Sequence, residues 1–134
     1  MMTDAVAITK ASYSRCLESP DFLGAFYKQF FSICPDARPL FSHTDFDRQT
    51  RLLQHAIGLL IAFSHQPPEG PSVLDRLTAK HGPRELNIKP SWYPLFLESL
   101  VLTAGRHDPE FTPEIAQAWR DAVGPGVEYM AKYR

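Results

Sequence analysis

Apolar residues recur at intervals of three and four along most of the chain, and prolines stand where these runs stop. Leu53, Ile57 and Leu60, with Leu52, Ala56, Leu59 and Phe63 on the flanking row, draw one wide apolar face. Read between the proline stops, the pattern predicts helices over 4–18, 21–34, 45–65, 71–81, 91–106 and 113–132. A short helical turn at 36–40 follows Pro35. No stretch alternates strictly between apolar and polar residues within hairpin turns, so strands are not expected. The fold class is all-α. Gly124, Pro125 and Gly126 fall inside the last helix, where a kink or break is expected.

Within 71–81, Leu74, Leu77 and His81 follow i, i+3, i+7, which puts an imidazole on the face of two leucines. Pro83 cannot continue that helix, so His81 lies in its last turn. Read without further context, a histidine in such a place is more often a satisfied core residue than a ligand. The other histidines are His43, His55, His65 and His107. The chain has no nucleophile elbow, Gly-rich phosphate loop or HExxH spacing.

The company of His81 changes its reading. The stretch FYKQFFSICPDARPLF, Phe26 to Phe41, resembles the second and third helices of bacterial single-domain globins and flavohaemoglobins. LDRLTAKH, Leu74 to His81, resembles the helix that carries the iron-binding histidine of that family. WYP at Trp92 to Pro94 resembles the start of the following helix, and Ala118–Trp119 the last one. Order and separation carry the resemblance, over most of residues 10–130. It implies a globin fold of six to seven helices around a haem pocket, in a single domain, 1–134.

Transferred residue by residue, the resemblance makes His81 the axial iron ligand and Phe41 the phenylalanine packed flat on the haem. It makes Tyr27 and Gln49 the distal residues facing a bound gas, with Leu53 one turn after Gln49 capping the same space. Leu77, Ile88 and Tyr93 become haem contacts, and Arg84 and Lys89 candidates for propionate pairing. Phe41 and Leu53 can equally be read as plain core, and Tyr27 as a core tyrosine. The chemistry agrees with the family roles, because a gas that gains negative charge on iron is stabilised by a donor, and a phenol and a carboxamide both donate. His55 lies about 240° round the helix from Gln49 and is a poor second ligand. Tyr93 matches a tyrosine that, in flavohaemoglobins, helps a glutamate polarise the axial histidine. The glutamate's place falls on Arg134, so a peroxidase-like ligand is not expected here.

Composition narrows the partners. At 134 residues the chain suits one domain, and Lys plus Arg at 14 against Asp plus Glu at 15 leaves a net charge of −1. That balance shows no basic excess for nucleic acid and no polybasic tract for lipid. No apolar run approaches the ~20 residues of a membrane span, and no secretory signal is evident, so a cytoplasmic location is the default. Cys16 and Cys34 form no CxxC pair and are expected to be reduced thiols packed in helices. Without a CxxCH motif the haem is expected to be b-type, non-covalent iron protoporphyrin IX. The expected function is reversible binding of dioxygen, carbon monoxide or nitric oxide at a five-coordinate iron. Nitric oxide dioxygenation is the alternative. It would call for a separate reductase, since the chain stops after the globin-like region; a sensor would need an output segment.

Overall fold

The computed structural model describes residues 2–63 and 89–133. Five α-helices and one 3₁₀ helix make up this part: α1 (Met2–Leu17), α2 (Phe22–Ile33), the 3₁₀ helix (Pro35–Phe41), α3 (Phe46–Phe63), α4 (Trp92–His107) and α5 (Pro113–Tyr133). There is no strand among the described residues. The expected boundaries lie within two residues of these, and the expected turn at 36–40 is a 3₁₀ helix of seven residues. The helix expected over 71–81, and the end of that expected over 45–65, lie outside the described residues. No described helix is long and apolar enough to cross a membrane.

Local chemistry sets the helix ends. Asp45 accepts hydrogen bonds from the amides of Asp47 (3.1 Å) and Arg48 (3.4 Å), which occupies donors the first turn of α3 would otherwise leave unpaired. Thr112 does the same for α5 through the Ile115 amide (3.2 Å), with Pro113 at the first helical position. Pro35 stops α2 and opens the 3₁₀ helix, whose bonds Ala37 N to Cys34 O (3.1 Å) and Ser42 N to Pro39 O (3.3 Å) have the tighter spacing. Cys34 therefore sits at a junction, buried but outside a regular helix, in contrast to the expectation; Cys16 is buried in α1.

The expected interruption of the last helix is a second correction. α5 runs unbroken through Gly124, Pro125 and Gly126. Proline costs a helix one backbone bond and crowds the preceding turn. Packing outweighs that cost: Ala122, Val123, Val127 and Met130 are all buried on either side of it.

The core is drawn from every helix, with Phe22, Phe26, Ile57, Ile61, Leu100, Val123 and Trp119 fully enclosed. α1 packs on α5, α2 on α4, and α5 also on α3 and α4. One buried polar cluster ties these layers together. Arg15 holds Asp108 through Nε (2.6 Å) and Nη2 (2.9 Å), and Ser12 donates to the same carboxylate at 2.6 Å. The Trp119 indole N–H donates to Ser12 Oγ at 2.9 Å, and the Glu110 amide donates to Asp108 at 2.9 Å. α1, the α4–α5 turn and α5 are thereby joined at one point.

Burial alone pushes the Asp108 carboxyl up, but the bonds from Arg15, Ser12 and Glu110 and the Arg15 charge hold it down at about 2. A carboxylate depressed from 3.8 contributes stability above its unfolded value, and that contribution is lost as pH falls through about 2. Asp108→Asn is therefore expected to destabilise the fold by about 2 kcal/mol at pH 6, the free energy that a shift from 3.8 to about 2 represents. The gap to wild type should close between pH 4 and pH 2. Urea melts followed by circular dichroism from pH 6 to pH 2 test this, and a gap independent of pH would contradict it.

Candidate functional site

α2 presents two adjacent aromatic rings, Phe26 and Tyr27, because Phe22, Phe26 and Phe30 recur every four residues and Tyr27 lies one position round the same buried face. Phe26 is committed to the core against Phe30 and Phe96 (5.9 and 5.1 Å between centroids). Tyr27 turns toward the 3₁₀ helix and α3. Its ring lies 5.8 Å from Phe41, 5.5 Å from Phe46 and 6.0 Å from Phe31. Phe31 and Phe41 are themselves 5.4 Å apart, so three short elements meet in one aromatic cluster.

Gln49 closes the cluster from α3. Its Nε2 donates to the Tyr27 hydroxyl oxygen at 3.0 Å, across 22 residues of sequence. A phenol has one proton to donate, and here its oxygen is the acceptor, so that proton remains free to point elsewhere. Burial raises the Tyr27 phenol to about 12, although the Gln49 bond opposes the rise. Tyr27 is therefore a neutral donor at any physiological pH.

Several residues singled out in the sequence thus stand together. Tyr27 and Gln49 are bonded, Phe41 flanks Tyr27, and Leu53 is buried on α3 one turn beyond Gln49. Tyr93 is buried in the first turn of α4. Leu77, His81 and Ile88, with Leu74, His65 and Arg84, lie outside the described residues. His43 and His55 are exposed, and Lys89 lies over the Trp92 ring at 5.8 Å. Sequence reading missed Phe46 and Phe31. The available signals were spacings: Phe46 is three positions before Gln49, and Phe31 four after Tyr27, each on the shared face.

Residues 24–129 match the family model of the globins. The chain is a globin. A solved structure from Pseudomonas aeruginosa, described as structurally highly homologous to a human haemoglobin, superposes with a TM-score of 0.88. It is 32% identical, over 96% of this chain and 97% of its own. A comparison with curated proteins gives no match.

Membership of the family implies haem as the cofactor, and the described part of the globin can be tested for fit. Phe46, Gln49 and Leu52 share one face of α3. Phe46 and Leu52 are 40% and 43% exposed, two bare apolar groups on either side of one polar side chain. With half-buried Phe41 they form an apolar wall around the Tyr27–Gln49 pair. A flat, largely apolar macrocycle with a polar ligand at its centre suits that surface. The residues on this side fit haem.

Proposed function

We propose that this globin reversibly binds dioxygen or another diatomic gas at a five-coordinate haem b, with His81 as the axial ligand. Haem, when bound, supplies an iron with an open coordination position for the gas. Phe41, Leu53, Leu77, Ile88 and Tyr93 hold the macrocycle and keep water out. The Tyr27 phenol donates its proton toward the charge that develops on the gas. Gln49, donating to the phenol oxygen, fixes that hydroxyl in place and strengthens its O–H as a donor, since chained hydrogen bonds polarise one another.

The bond from Gln49 Nε2 to the Tyr27 oxygen carries this reading, because it leaves a buried, neutral, oriented donor beside an apolar wall. Such a donor favours dioxygen over carbon monoxide, which carries little negative charge when bound. The two thiols support a reducing, cytoplasmic setting: both are free and buried, and burial pushes Cys16 up to about 12, where it stays protonated and unreactive.

Visible spectra of purified protein, alone, with dithionite and then with carbon monoxide, test the proposal. A five-coordinate ferrous spectrum that converts to a carbon monoxide complex is expected. Acid–butanone should then extract the pigment, because the chain lacks the CxxCH needed for thioether attachment. Pigment that stays with the protein would rule out haem b. A colourless preparation after haem supplementation would remove the proposal altogether.

A further inference from the structure

A second feature lies between α1 and α3, mostly turned away from the Tyr27–Gln49 pair. A cleft of about 390 Å³ opens there, lined by Tyr13 of α1 and by Arg51, Gln54, His55, Gly58 and Leu59 of α3. Residues 51, 54, 55 and 58 lie about 140–240° round the helix from Gln49, while Leu59 lies about 80° from it, on the row of Leu52. The cleft is open to solvent along much of its length, so a ligand would lie against one wall with its other side in water.

The lining is polar at one end and apolar at the other. Arg51 and His55 are one helical turn apart and so neighbours on the surface. Neither is engaged in an ion pair among the described residues, Asp47 one turn before Arg51 included. Gln54 also lines this end of the cleft. The Tyr13 hydroxyl is already committed to the Gln54 backbone carbonyl at 2.8 Å, which fixes its ring as a wall rather than a donor. Beyond it the helix offers Gly58 and the side chain of Leu59. A Cβ on Gly58 would meet nothing within 4 Å, so the floor is open. From residue 51 to residue 59 the helix rises about 12 Å.

We propose that this cleft binds a small amphiphilic anion, with a carboxylate or phosphate head at Arg51 and His55 and a short apolar body along Gly58 and Leu59. Arginine is suited to such a head because its planar fork meets two oxygens at once. A free inorganic ion would leave the Leu59 end unfilled, and a neutral chain would leave Arg51 without a counter-charge.

Isothermal titration calorimetry on the haem-loaded chain, at low salt, tests this with hexanoate, hexyl phosphate, inorganic phosphate and 1-hexanol. At least one of the two amphiphilic anions should bind, and hexanol and inorganic phosphate about tenfold or more weakly. The tighter of hexanoate and hexyl phosphate identifies the head. Arg51→Ala should weaken binding about tenfold or more, consistent with loss of a charge-assisted contact. Gly58→Leu, which fills open space, should abolish binding while the circular dichroism and the visible spectrum stay as in wild type. Unchanged binding in either variant would place the ligand elsewhere, the haem cavity included, and overturn the proposal. So would hexanol binding as tightly as the anions, or no binding by either anion.

Discussion

His81→Ala is expected to lose most of its haem, while His55→Ala keeps a spectrum close to wild type. His55 is exposed in the α1–α3 cleft, about 120° round α3 from Gln49, and is turned away from a gas or an iron on the distal side. His81 is assigned from the sequence alone, where Leu74, Leu77 and His81 stand at i, i+3, i+7. Loss of an outer partner of a metal ligand costs about 10–100-fold in affinity, so loss of the ligand itself should cost at least about 100-fold. Haem transfer to an acceptor protein measures the retention directly. Added imidazole should restore haem binding to His81→Ala by occupying the vacated space, which distinguishes a missing ligand from a damaged fold. Haem loss from His55→Ala with retention in His81→Ala would reverse the assignment.

Much of this fold is legible in the sequence because its helices are amphipathic and bounded by proline. α2 reads clearly, since Phe22, Phe26 and Phe30 mark the buried face and Pro35 ends the run. The continuity of α5 does not read, because Gly124–Pro125–Gly126 is a local break signal and tertiary burial of Val123 and Val127 overrides it. The Asp108 cluster is equally hidden: its partners Ser12, Arg15 and Trp119 are remote in sequence, and no spacing rule links them.

At the site, the family pattern marked Tyr27, Phe41 and Gln49 as single positions. Their mutual arrangement needed coordinates. The meeting of Gln49 and Tyr27 is set by how α2 and α3 pack, and the amide, turned with Nε2 toward the phenol oxygen, leaves the phenol its proton to donate. Phe46 escaped notice because an aromatic residue in the first turn of a helix is ordinary; only its exposure beside Tyr27 gives it meaning.

The phenol proton leads to the second large effect. Tyr27→Phe should raise the oxygen dissociation rate by about ten- to a hundredfold and leave carbon monoxide dissociation nearly unchanged. The substitution keeps the ring, so its contacts with Phe41 and Phe46 persist and only the hydroxyl is lost. A hydrogen bond to a charged acceptor contributes about 1.5–3 kcal/mol, and about 1.4 kcal/mol is a factor of ten in an equilibrium constant. Bound carbon monoxide has little charge to stabilise and so should show little change. Gln49→Leu should raise the oxygen rate less than Tyr27→Phe. It removes the bond that orients the phenol, not the phenol itself, and the glutamine side chain loses rotamer entropy when held. Stopped-flow displacement of oxygen by carbon monoxide on both variants gives the ranking. Equal oxygen rates for Tyr27→Phe and wild type would show that the phenol proton points away from the gas, and the proposed selectivity for dioxygen would fall with it.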